Sequence, residues 1–200
     1  MDRSAYVPRD YLWMYPAVLL TLLFMVLAAC LTQWVPPERK LHAAIAACFT
    51  VFAAAVITID YGVQLTVLQP ALLAGQTEGL SALTQYNPHG VFIALENVGY
   101  AVLGIAFLFL GAALTAGTSR LERAVRWVFI VGGVLILAAL VLYATIYRAD
   151  LDVRFEVMSM LITWLVLIGS STMLTVVFGR ALKVATQRPG AVTTDALAGR

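Results

Sequence analysis

The sequence predicts an all-α, polytopic integral membrane protein: one bundle of five transmembrane helices. Three observations carry that prediction. Of 200 residues, 62% are hydrophobic and 12% charged, against roughly a half and a quarter in a soluble domain. Mean hydropathy is +0.89. Five stretches supply the ~20 mainly apolar residues that a helix needs to cross a bilayer core. The composition also excludes other classes. Charge is too scarce for a disordered chain, 14 Gly and 7 Pro are too few for a collagen-like or low-complexity one, and two Cys are too few for a disulfide scaffold. A net charge of +2 dispersed over short connections does not make a phosphate-binding face, so no nucleic-acid partner is expected.

The first span runs from about residue 11 to 35, between Arg9-Asp10 and Pro36-Pro37-Glu38-Arg39-Lys40. It is too long for the apolar core of a signal peptide and opens with Tyr11, Trp13 and Tyr15 at interface depth, so it reads as a retained helix. The second, about 41 to 68, carries Asp60 and Gln64 and is expected to stop at Pro70, which cannot continue a helix. The third, about 88 to 116, starts at Asn87-Pro88-His89-Gly90, with Asn87 suited to the cap and Pro88 to the first turn. It carries Glu96 and Asn97. The fourth, about 127 to 147, and the fifth, about 157 to 182, lack charges in their middles. Together residues 1–185 form a single helical domain, and a poorly ordered cytoplasmic tail is expected over 186–200, where the apolar pattern fails at Pro189-Gly190.

Basic residues set the orientation, because Lys and Arg in short flanks stay on the cytoplasmic side. One alternating set of connections holds Arg39, Lys40, Arg120, Arg123, Arg126, Arg180, Lys183, Arg188 and Arg200; the other holds Arg3, Arg9, Arg148 and Arg154. The N-terminus is therefore expected outside and the C-terminus in the cytoplasm. The longest connection, 71–86, then lies outside; Thr77 suits the cap of a short helix there, and the segment reads either as a lid over the helix ends or as a plain interfacial loop. Five crossings without an internal repeat disfavour a monomeric alternating-access transporter.

Asp60 and Glu96 are the centre of the functional argument, because an ionised carboxylate at membrane depth costs several kcal/mol and is rarely kept without a partner or a wet cavity. At about 1.5 Å per residue, both lie roughly 10–12 Å in from the same side. Residues three, four and seven apart share a helix face, which places His89, Glu96 and Tyr100 on one stripe and Gln64 one turn from Asp60, with Tyr61 and Asn97 beside the acids. Gln69 and His89 are expected at the mouth, and Leu103 and Phe107 at the closed inner side. Apart from Arg180 at the exit of the fifth, no Lys or Arg falls inside the five spans. Two close carboxyls without a cation either share a proton or hold an external cation. The alternative is that both are protonated and act as packing glue between helices.

Other chemistries find less support. Asp60, Glu96 and His89 are plausible zinc ligands, but the count is thin and His42 sits at the opposite interface, so neither a metal nor a cofactor is expected. Without a Lys inside the bundle there is no retinal-type Schiff base. Ser170, Ser171, Thr172 and Thr175 lack a nucleophile motif and read as small interface residues, as do Gly104, Gly111, Gly132 and Gly133. Cys30 and Cys48 read as small buried apolar residues without a disulfide. Tyr11, Trp13, Tyr15, Trp34, Trp127, Tyr143 and Tyr147 are expected as interface anchors, and Trp164 as a deeper residue able to line a pocket.

The stretch Gln-Tyr-Asn-Pro-His-Gly-Val-Phe-Ile-Ala-Leu-Glu-Asn-Val-Gly-Tyr, residues 85–100, resembles a segment of small multi-pass membrane proteins of bacteria. The resemblance covers the second and third helices and implies a bacterial inner (plasma) membrane setting, with no activity or functional residue attached. The leading functional expectation is an outward-facing acidic pocket between helices two and three, formed by Asp60, Gln64, Glu96, Asn97, Tyr100, Tyr61 and His89. It would bind a small cationic or amphipathic ligand or a proton, in a sensor, carrier or accessory subunit. The competing expectations are an intramembrane enzyme using carboxylate acid/base chemistry on a lipid or other apolar substrate, and a purely structural subunit. The bilayer is the partner this reading expects, and a homo-oligomer or partner membrane subunit is compatible with it.

Overall fold

The computed structural model describes residues 11–76, 78–83, 87, 89–114, 119–147 and 152–187. Thr77, Tyr86, Pro88, Arg148 and the tail beyond residue 187, on which several expectations rest, lie outside them. Five long helices make up the fold: α1 (Met14–Trp34), α2 (Lys40–Val63), α3 (Val91–Ala113), α4 (Arg120–Tyr147) and α5 (Asp152–Thr186). All five are long and apolar enough to cross a membrane, and no strand occurs among the described residues. Helices α1, α3 and α5 begin at one end of the bundle, here the first end, where α2 and α4 finish.

Pro70 does not stop the second helix. The chain passes from α2 into a π-helical segment, Gln64–Leu68, and then into a last α-helical turn, Gln69–Leu73. A proline ring crowds the carbonyl four residues back and brings no N–H. The wider π turn accommodates it, with the Gln69 N–H reaching back to the Gln64 carbonyl. At the other end Pro37 opens a 3₁₀ turn, Pro37–Arg39, that leads into α2. Asn87 is not the cap of α3 either. Gly90 occupies that position, while the Asn87 side-chain oxygen accepts the His89 N–H at 3.0 Å and its amide donates to the Ser81 carbonyl at 2.8 Å.

Two helices start earlier than hydropathy suggests. Ser119 caps α4 by accepting the Glu122 N–H at 3.1 Å, the Ser-x-x-Glu spacing of a capping box. Helix α5 starts at Asp152, which brings Glu156 inside the helix. Between α2 and α3 the chain turns at Gly75 and Gly79, with φ of 77° and 74° that a side chain would disfavour. It then lays Leu80 and Leu83 against the core.

Consecutive helices pack side by side, and α3 is central, touching α2, α4 and α5. In lipid the tails compete with apolar side chains, so close approach of helices relies on small residues. All four glycines singled out above are such positions. A Cβ at Gly133 would stand 2.6 Å from the Gly104 carbonyl oxygen, one at Gly104 3.0 Å from Ile136, and Cβ atoms at Gly111 and Gly132 would collide with Ile130 and Val166. Gly99, facing Ile57 of α2, is a fifth. Around this core Leu19, Phe52, Leu135 and Leu165 face outward, the apolar girdle a bilayer requires.

The aromatic belt is smaller than expected. Tyr15, Trp34 and Trp127 are exposed near helix ends, but Tyr11 is buried and Trp13 packs edge-on against Tyr61 at 5.1 Å, so both turn inward over the bundle. Cys30 and Cys48 are free thiols on the outer face rather than in the core. Ser171, Thr172 and Thr175 also face outward, along an α1–α5 groove, and the two threonines bond their own helix carbonyls at 2.7 and 2.8 Å; Ser170 alone is buried.

Candidate functional site

Asp60, Gln64 and Glu96 converge beside the Tyr61–Tyr100 pair, His89 does not join them, and a third helix adds to the group. Asp60, in the last turn of α2, is fully buried, and Gln64 donates its amide to Asp60 Oδ1 at 3.2 Å. Gln64 is the first residue of the π segment, and its backbone N–H is shared between the carbonyls of Asp60 and Tyr61. Such single-turn π segments recur at functional sites. Glu96, nearly two turns into α3, is 1% exposed and lies within reach of Gln64 and Asp60. Tyr100, one turn further along α3, meets Tyr61 hydroxyl to hydroxyl at 3.0 Å, both buried.

Glu156 of α5 is the addition. It is 6% exposed, makes side-chain hydrogen-bonding contact with Glu96, and stands within electrostatic reach of Asp60 as well. The site therefore lies among α2, α3 and α5, not between two helices. Hydropathy hides Glu156 because the apolar window starts at Val157. The signal that reveals it is the spacing of Glu156, Ser159, Thr163 and Ser170, one polar stripe at helical periodicity, and all four are buried.

The remaining expected members are placed less centrally. Asn97 is half-buried, with its side-chain oxygen buried and without a hydrogen-bond partner. His89 precedes the first turn of α3 and is exposed, so it does not share a helix face with Glu96 and Tyr100. Gln69 is half-buried in the last turn of the second span. Leu103 and Phe107 are buried on the inner side of the acids, as their spacing predicts.

The chemistry open to this group follows from its donors and acceptors. An ionised carboxylate only accepts hydrogen bonds, so two carboxyls in hydrogen-bonding contact hold a proton between them. Among the described residues the buried charged side chains are Asp60, Glu96 and Glu156, with no Lys or Arg. One oxygen each of Asp60 and Glu96, Oδ2 and Oε2, is buried without a hydrogen-bond partner, which leaves acceptor capacity inside the site. Among the described residues no three His, Cys, Asp or Glu are disposed to hold a metal ion together. The nearest cation on α5, Arg154, is exposed and lies over the Tyr147 ring at 4.5 Å.

Fold and site together define an all-helical bundle, with five helices long and apolar enough to span a membrane and a buried cluster of acids at one end. The chain matches no family model, and no curated protein and no solved structure matches it.

Proposed function

We propose that this is a multi-pass membrane protein that takes up and releases protons at the cluster of Asp60, Glu96 and Glu156, as a sensor or accessory carrier subunit. The observation that carries the reading is the carboxyl-to-carboxyl contact of Glu96 with Glu156, buried and adjacent to a third acid. Intramembrane acids are costly to keep and functional by default. Packing glue alone is served by neutral amides or hydroxyls, which bridge helices without the desolvation that an acid risks. The excess of basic residues at the second end supports a cytoplasmic C-terminus, so the acids belong to the outward half of the bilayer. A bacterial inner membrane is the setting that the resemblance of residues 85–100 supports.

The test is infrared difference spectroscopy on the purified protein in lipid. A pH step should change the carboxylic C=O band, with a shift in deuterium oxide, and Glu96→Gln or Glu156→Gln should remove or reshape it. A wild type whose band is the same as that of the two variants at every pH would refute the proposal.

A further inference from the structure

Directly inside the acid cluster, α1, α2, α3 and α5 leave a small, partly open space lined by Thr21, Phe24, Ile57, Tyr100, Leu103 and Thr163, among others. It has room for about one water molecule. Thr163 is 3% exposed, yet its hydroxyl has no hydrogen-bond partner. A buried hydroxyl left in that state costs free energy that a single water would recover. A buried water needs two to four polar partners, and the walls offer them. Thr163 and Tyr100 present hydroxyls, and the Thr21 hydroxyl, which donates to the Ala17 carbonyl at 2.8 Å, still has lone pairs to accept with.

Beyond this space the polar character ends. Phe24 and Phe107 meet edge to face at 5.4 Å, and Phe107 and Phe129 lie tilted at 45° with centroids 5.6 Å apart, all buried, with Leu103 and Leu110 beside them. Nearer the second end, the His42 Nδ1 and Arg126 Nε atoms are buried without a hydrogen-bond partner on half-buried side chains, and the fully buried polar side chains among the described residues are Thr50 and Ser170. Each donates to a carbonyl of its own helix, Ala46 at 2.8 Å and Leu167 at 3.4 Å. Neither extends a chain of hydrogen bonds toward the other side.

We infer that the space is a one-water site bonded to Thr163 and Tyr100, and that it is the inner, blind end of the acid site, sealed by the Phe24–Phe107–Phe129 stack. This rests on the proton reading of the acids. Of the ionisable groups only Tyr100 lines it; the other buried ones of the first half are Tyr61, bonded to Tyr100, with Asp60 on α2, Glu96 on α3, Glu156 on α5 and Tyr11 before α1. They exchange protons with the first end only, through Tyr100 and the water at most, so the protein binds a proton without conducting it across the membrane.

The experiment uses full-length protein in liposomes with a trapped pH dye, after an external pH jump. Wild type should equilibrate no faster than protein-free vesicles. Phe107→Ala and, separately, Phe24→Ala, each first verified as monodisperse and helical, should raise proton flux by about tenfold or more, as a lowered barrier requires. Thr163→Val in the Phe107→Ala background, which deletes the hydroxyl at constant shape, should return most of that flux. A conducting wild type, two silent alanine variants, or a Phe107→Ala flux indifferent to Thr163→Val would each overturn the inference. The infrared band separates the two levels: if it tracks pH while the fluxes disobey, the blind end is wrong and the proton reading stands. If the band is absent, the proton reading itself fails.

Discussion

Tyr61 and Tyr100 form the boundary between the acids and the one-water space, and their mutual bond makes a quantitative prediction. The hydroxyls are 3.0 Å apart and both side chains are buried. Tyr61→Phe keeps the ring that Trp13 packs against but leaves the Tyr100 hydroxyl with the water alone; Tyr100→Phe strands that of Tyr61. An unsatisfied buried hydroxyl costs about 1–3 kcal/mol. The double variant strands neither, so it should be less destabilised than the sum of the singles. Interhelical hydrogen bonds in membranes show coupling energies that average about 0.6 and reach about 1.7 kcal/mol, and that range is the expected coupling here. Tyr100→Phe should also be the costlier single change, because that hydroxyl serves the water beside Thr163 in addition. The measurement is equilibrium unfolding of the four proteins in mixed micelles with helicity as the signal. Strict additivity would show that the two hydroxyls do not pair, and a costlier Tyr61→Phe would remove Tyr100 from the water site.

Further predictions concern the frame that holds the site. Gly133→Ala places a methyl 2.6 Å from the Gly104 carbonyl and 2.8 Å from Leu108, and overpacking of this kind should cost about 1–3 kcal/mol, read by the same unfolding assay. Gly169→Ala, with nothing within 4 Å of the added carbon, should be neutral or slightly stabilising, since alanine is the better helix former by about 1 kcal/mol at most. Ser119→Ala removes the α4 cap and should cost about 1 kcal/mol, with faster amide exchange confined to the first turn of α4. Nitroxide labels at Cys30 and Cys48, both on the outer face, should be broadened more by dissolved oxygen than by a water-soluble nickel chelate. The reverse ratio would place those faces in water, not in lipid.

The five spans were legible because membrane crossing depends on length and apolar content, both of which are local properties of sequence. Asp60, Gln64, Glu96 and Tyr100 were legible as neighbours because helical spacing determines which residues of one helix share a face. The errors arise where another local rule competes. Pro70 forbids an ordinary α-helical turn, but it does not forbid the π turn that Gln64–Leu68 adopts. Ser119 and Glu122 fall outside the apolar window, so a hydropathy boundary near Trp127 overlooks a cap that is plain in the Ser-x-x-Glu spacing. Tyr11 and Trp13 have the composition of interface anchors; the inward turn of Trp13 depends on Tyr61, which it meets only in three dimensions.

Glu156 shows why the third acid matters to the argument. Two acids on neighbouring antiparallel helices could each be satisfied by a hydroxyl or amide across one interface, and removing them would cost little beyond packing. A third acid from α5 makes the cluster span the central α3 and two helices that touch it, α2 and α5. Any change in its protonation then alters forces on α2 and α5 together. Beside Asp60, α2 gives way to the π segment, where helical hydrogen bonding is least regular, and Gln64 bonds the acid from the first residue of that segment. The cluster is thus joined to the π segment of the second span, and through it to the connection that packs Leu80 and Leu83 over the bundle. On the proton reading we propose, a site closed toward the second end and tied to that segment at the first is suited to reporting proton occupancy on the face from which the proton came.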